Sequence, residues 1–500
     1  NKMAAIITEK FRQHNAEQFY ESFSEASKST YYLFVGKATA FTSGTTGGSD
    51  SSPPTPADGP SDTEFYAWDS MLAAKNITSS DITYAIPRRN WANGTVYDMY
   101  DDNISSSSTT TSGASNLYDS TFYFMTSDYR VYKVLDNNAG VAYSGAEPTS
   151  TSTSPHALGG YVLKYMYTVT TSEAAKYLTS DFIPVSDDST VTAAATDGKI
   201  ESLKITAGSG YTNGTYYAAV YGDGTSAGTS SGAIVRITVT SNAIVSFGLT
   251  AGTDTTIHGG GAAYTYGTVN LGSGYTFSDT GLSSASAMGG SGGAVEVVIS
   301  PKNGHGKSAI KELGGHYVMS ATTLTQAEND DISTSNDFRQ VGIVVDPTNY
   351  GTSTVATAST RRQTFVVKGS ASSGTFEADE KITQASTGAV GKVVEWDSTR
   401  TLLYLQQERF GDYGTNSTTG DNTAFSAANV ITGATSSATL TPSTSSETIT
   451  LANNNTITTS SGYTTPELAA DSGSVIYLEN RKPIQRDSDQ TEDIKLIIEF

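Results

Sequence analysis

The sequence predicts a mainly β protein: a multi-layer β-sandwich core with a few helices on its N-terminal side and two small β domains inserted into it. Three observations carry this. Gly, Ser, Thr, Asn and Tyr are abundant while good helix formers are sparse, the composition of short strands joined by many turns. Period-2 and β-branched runs recur along the chain and end at Gly, Asn, Asp or Pro. Two stretches also repeat themselves internally, the mark of duplicated small modules.

Helices are expected near the start. Ile7, Phe11, Phe19 and Phe23 recur at multiples of four, one apolar stripe expected to pack in the core on a helix of about four turns. Ser61-Asp62-Thr63-Glu64 has the Ser and Glu of a capping box, with Phe65, Trp68 and Leu72 on the face that follows. A short third helix is expected over residues 172–178. Residues 42–60, 105–115 and 144–154 are Gly/Ser/Pro/Asp-rich loops with too little apolar surface to fold alone.

The first repeat lies in residues 197–300. Gly208-Ser209-Gly210-Tyr211-Thr212 recurs as Gly272-Ser273-Gly274-Tyr275-Thr276, and Ser231-Gly232-Ala233-Ile234-Val235 as Gly292-Gly293-Ala294-Val295-Glu296. The second lies in residues 363–462. Phe376 to Ile382-Thr383 matches Phe425 to Ile431-Thr432 at a constant offset of 49, with a hairpin expected between the copies over residues 390–406. It reads as a small barrel or sandwich. At the end, residues 475–478 read as a strand and 479–483 as a turn that breaks it. Ile494, Leu496 and Ile498 then alternate with Lys495, Ile497 and Glu499 in a last strand.

Composition bounds function. The length suggests about three domains on the usual ~150-residue prior. A net charge of −20 repels phosphate backbones, so nucleic acid is not an expected partner. The acid is spread along the chain, which favours solubility. No apolar run is long enough to span a bilayer, no signal-peptide pattern opens the chain, and Asn1 need not be the natural start. The absence of Cys excludes disulfides, thiolate metal sites and a catalytic thiol.

Motifs with potential chemistry are few. Arg88-Arg89 beside Trp91 could clamp an oxyanion and stack on indole, but an Arg bridged to an internal or interface carboxylate is the better reading. Glu479-Asn480-Arg481 lacks the His, Cys or second acid of a catalytic site and reads as a turn held by hydrogen bonds and an ion pair. His14, His156, His258, His305 and His316 match no metal-ligand spacing. Gly289–Gly293 lacks the Lys-Ser/Thr of a phosphate loop and reads as a linker or hairpin turn. A glycosidase carboxylate pair would leave no trace in sequence, and nothing raises one above background. The expectation is therefore no enzyme, cofactor or metal.

Five segments in order, with the C-terminus, carry a resemblance. They are Ile6-Ile7-Thr8-Glu9-Lys10-Phe11-Arg12 leading to Gln18-Phe19-Tyr20-Glu21-Ser22-Phe23; Ala85-Ile86-Pro87-Arg88-Arg89-Asn90-Trp91; Tyr161-Val162-Leu163-Lys164-Tyr165-Met166-Tyr167; and Asp337-Phe338-Arg339-Gln340-Val341-Gly342, running on to Pro347. Together with residues 472–500 they resemble the baseplate wedge protein of T4-like contractile-tailed phages, the product of gene eight. The likeness covers roughly residues 3–190, 301–360 and 466–500.

The resemblance implies a wedge core of residues 1–196, 301–362 and 463–500, with 197–300 and 363–462 as insertions. It implies a virion tail protein assembled in the host cytoplasm, a homodimer joined to the products of genes seven and ten, moving as a rigid body when the sheath contracts. The insertions would add contacts to fibre or peripheral proteins. Arg88, Arg89, Trp91, Arg339, Glu479, Asn480 and Arg481 are the structural and interface candidates. An adhesin-like tail protein that holds host glycans is the alternative, since the 29 Tyr suit stacking on sugars.

Overall fold

The computed structural model describes residues 7–41, 47–57, 59, 62–224, 232–272, 281–409, 413–414, 416, 418, 423–426, 428–452 and 454–500. It is mainly β, as predicted, with strands in several sheets and short helices between them. The chain divides into two compact units, residues 1–18, 83–319 and 497–500, and residues 19–82 and 320–496.

In the first unit a four-stranded sheet runs in the order Tyr123–Met125, Arg130–Asp136, Tyr161–Thr168, His156–Leu158. Its face is aromatic: Tyr97, Phe124, Tyr132, Tyr143 and Tyr161 pack edge-on or tilted in one buried cluster. Such rings bury a large area each and find hydroxyl partners at their tips. Tyr97 donates to Asn90 O and Ala92 O, and Tyr161 to Val141 O.

Residues 197–300 build a second β layer in this unit. The strands Gly214–Gly222, Ala233–Thr240, Thr256–Gly260 and Gly267–Val269 form one sheet, while Ser202–Tyr211 pairs with Gly289–Val298 as a ribbon. Their core includes Leu135 and Val162 of the aromatic sheet, so the layer packs on it. Gly289–Gly293 is therefore strand, where sequence predicted a linker or turn. The reason is steric: a Cβ on Gly290 would lie 2.3 Å from the Tyr211 ring, and Gly290 sits at φ +72°. The glycines let Tyr211 lie flat across the ribbon. The second copy of the Gly-Ser-Gly-Tyr repeat falls at residues 273–276, outside the described residues.

In the second unit a five-stranded antiparallel sheet runs in the order Thr360–Arg362, Met71–Ile77, Tyr31–Gly36, Phe338–Val345, Ser474–Ile484. Tyr32, Phe34, Trp68, Met71, Val344 and Leu468 form its core. The helix Asp62–Ser70 runs directly into the strand Met71–Ile77, which puts Leu72 on the strand rather than the helix. The side chain of the predicted cap, Ser61, lies outside the described residues.

The repeat at 363–462 is a barrel in this unit. Six strands of a seven-stranded sheet close into a ring because Phe365–Ser373 pairs with Leu402–Gln406 as well as with Thr439–Pro442, and Tyr463–Thr464 adds to Phe365–Ser373 outside the ring. Closure removes free edges. Thr383 pairs with Thr432, its own repeat equivalent, so the two copies meet antiparallel about a local two-fold axis. The expected hairpin is present as Ala389–Asp397 with Leu402–Gln406.

Two further expectations need correction. The helix Glu9–Glu21 does not bury its whole apolar stripe. Phe23 stacks on Tyr31 at 4.0 Å, with Phe19 edge-on, but Ile7 and Phe11 are 65% and 55% exposed. The first turns are anchored by polar groups instead: Glu9 lies 3.1 Å from His316, Arg12 bonds Glu499 at 2.8 Å, and Gln13 donates to Lys311 O. At the other end, residues 479–482 do not form a turn; Ser474–Ile484 is one strand. The break signalled by Pro483 is absorbed as a bulge, where Arg339 alone faces residues 481–483 between the pairs Phe338–Ile484 and Gln340–Asn480.

Candidate functional site

In the first unit Pro87 ends a strand whose residues 84–87 pair with Phe182–Val185, and the chain then lies along the aromatic sheet. Trp91 N donates to Met125 O at 2.8 Å and Met125 N to Arg89 O at 2.7 Å, an extra rung on the sheet edge. Arg88 Nη1 reaches Thr179 O at 2.7 Å and its Nε Asn90 Oδ1 at 2.9 Å. Arg89 Nη2 donates to Tyr118 O at 2.9 Å, and its guanidinium lies 4.4 Å over the Tyr123 ring. Among the described residues neither arginine meets a carboxylate of the chain. The stacking partner of Arg89 is Tyr123, while Trp91 sits edge-on to Tyr143 at 5.9 Å. The arrangement fixes a loop; it is not an open anion clamp.

In the second unit Arg339 is buried in the sheet and holds the loop after the strand Tyr31–Gly36. Its Nε and Nη2 meet both Asp50 oxygens at 3.0 Å, Nη2 also meets Asp337 at 2.9 Å, and Nη1 donates to Ala38 O. Arg339 holds the Asp50 carboxyl below the ordinary carboxylate range. Asn480 Oδ1 accepts from Gln340 Nε2 at 2.9 Å, and its Nδ2 donates to Pro54 O at 3.0 Å. Arg481 pairs with Glu479 at 3.0 Å, as predicted, and Tyr477 donates to the same carboxylate at 2.9 Å. Arg339, Glu479, Asn480 and Arg481 thus sit on two neighbouring strands.

Sequence reasoning missed a buried electrostatic network. Lys133 and Lys164 face each other across adjacent strands of the aromatic sheet, both buried. Like charges so placed repel unless acids intervene. Glu312 lies 2.7 Å from Lys133 Nζ, and Glu201 3.7 Å from Lys164 Nζ. His305 Nδ1 stands 2.8 Å from Lys133 Nζ, the Tyr100 ring lies 4.0 Å from that Nζ, and Gly306 N donates to Glu312 at 2.7 Å. Burial pulls Lys133 below its ordinary pKa and Glu312 opposes this; burial and Lys133 together keep His305 neutral. The signal was a lone Lys inside each of two apolar strands, RVYKVLD and YVLKYMYT. Its acid partners are far away in sequence and carry no flag.

Among the described residues no group of three or more His, Cys, Asp or Glu could hold a metal ion, and no helix is long and apolar enough to cross a membrane. Among the described residues, cavities occur in both units. One of about 220 Å³ in the first unit is lined by Asp101, Asp136 and Lys204; one of about 300 Å³ in the second is lined by Tyr350, Arg361 and Glu467. Neither shows a nucleophile held by a base.

What the geometry offers is loops fixed onto sheets. The family model described as Bacteriophage T4, Gp8 matches residues 5–145 and 440–500. Over these two blocks the chain is similar to the Gp8 family. Gp8-family proteins are structural components of the phage tail baseplate wedge, and the match supports a structural role of that kind for this chain. The Gp8 match holds Arg88, Arg89 and Trp91 in its first block and Glu479, Asn480 and Arg481 in its second, with Arg339 between the blocks. No curated protein matches the chain.

Proposed function

We propose that this protein joins neighbouring wedge proteins of the baseplate, among them equivalents of the gene seven and gene ten products, and does so as a homodimer without catalysing a reaction. The observation that carries the reading is the family match at both ends of the chain, the first block of which holds Arg88 and Arg89 fixing a loop along a sheet. Buried ion pairs and a closed barrel suit units that keep their internal packing while their contacts exchange as the sheath contracts. Assembly takes place in the host cytoplasm.

Within this reading residues 1–196, 301–362 and 463–500 form the wedge core. The insertions at 197–300 and 363–462 face outward to fibre or peripheral baseplate proteins. Phe11, exposed on the first helix, and Ile7, exposed just before it, suit the same contact role.

Light scattering coupled to size exclusion tests the dimer. A mass near twice 52.4 kDa is expected. A stable trimer would argue for a fibre or adhesin, and a monomer at micromolar concentration would remove the isologous interface from the account.

A further inference from the structure

The 300 Å³ cavity of the second unit has a built, polar wall. It lies among the strand Thr360–Arg362, the hairpin strand Thr456–Thr459 and residues 464–467, with Asn349 and Tyr350 at one side. The Arg361 guanidinium is short of acceptors. Its Nη2 donates to Asn349 Oδ1 at 2.9 Å, the Tyr32 hydroxyl is a second side-chain partner and the Asp331 carboxylate acts on it from beyond ion-pair distance, but Nε is buried with no acceptor. Leaving such a donor unmet is costly. Arg362 makes no such demand, since its side chain donates to Thr364 O and Thr465 O while its backbone N binds Glu467 Oε2 at 2.8 Å. The cavity therefore offers one fixed cation with no carboxylate in direct contact, the nearest acidic influence being Asp331.

The rest of the wall narrows the ligand. Tyr350 is 48% exposed, and the other lining groups are mostly hydroxyls, an amide and the pinned Glu467. A flat ring to stack on, surrounded by hydrogen-bonding groups and one guanidinium, fits a polyhydroxylated ring bearing a carboxylate. We propose that this cavity binds a carboxylated saccharide, a uronic acid unit, with its carboxylate on Arg361 and its ring against Tyr350. This does not depend on the dimer or on the wedge partners.

Saturation-transfer NMR on the full chain tests it, with glucuronate as probe and glucose and acetate as controls. Transfer to the glucuronate ring protons is expected, with none to glucose and no displacement by equimolar acetate. Arg361→Gln should abolish the transfer, and Tyr350→Ala, at an exposed site that tolerates change, should weaken binding about tenfold. The proposal is overturned by no transfer in the wild type, by undiminished binding in Tyr350→Ala, or by acetate displacing glucuronate mole for mole.

Discussion

Two ion pairs of similar length sit in opposite surroundings. Lys133–Glu312 spans 2.7 Å with side chains 0% and 4% exposed; Glu479–Arg481 spans 3.0 Å with side chains 35% and 47% exposed. The second belongs to the motif that stood out in the sequence. The first went unnoticed there, yet it anchors residues 305–312 to the aromatic sheet. Water screens the exposed pair and leaves it little net worth, whereas the buried pair is tied into a network that cannot lose one member cheaply. Conspicuousness in sequence and weight in the fold are separate properties.

The largest effect should come from Glu312→Gln, which leaves Lys133 buried and unpaired. A loss of about 3–5 kcal/mol is expected in chemical denaturation. The double variant Lys133→Met/Glu312→Leu should cost far less than the single one, because it removes both charges and keeps the volume. A double variant as damaging as the single would show that packing, not charge, sets the site's importance.

Asp136 sharpens the comparison from the side of an unpaired acid. Burial raises its pKa from 3.8 to about 6, against a hydrogen bond from Asn138 N. The folded state therefore binds more protons than the unfolded state between those values, and stability falls as pH rises through that window. Asp136→Asn should then raise stability by about 1–2 kcal/mol at pH 7 and change little at pH 4. A variant that gains nothing at pH 7 would mean the acid is solvated through the neighbouring cavity.

The smallest effect belongs to Arg481→Ala. It should cost less than about 1 kcal/mol at low salt, and the difference should vanish near 1 M salt. A larger, salt-independent loss would place Arg481 among the buried anchors.

Much of the fold was legible because it is written in local periodicity. Ile494 and Leu496 alternate into the core as the pattern required, and the helix expected at 172–178 is present as Thr171–Tyr177 with a Thr170–Glu173 capping box. The 49-residue repeat became a strand pairing, Thr383 against Thr432. Contacts between residues far apart in sequence were not legible. Nothing near Phe11 shows that Glu9, Arg12 and Gln13 take the inner side of the helix, and nothing near Gly290 announces the Tyr211 ring. Of the candidate site, the Glu479–Arg481 pair was readable because its members are two residues apart; the backbone acceptors of Arg88 and Arg89 were not.

The most direct test is a cryo-EM reconstruction of the virion tail before contraction. The account predicts density for this chain within each baseplate wedge, with residues 197–300 and 363–462 against neighbouring subunits. Density at a fibre tip, or both insertions turned inward with no neighbour in reach, would contradict it.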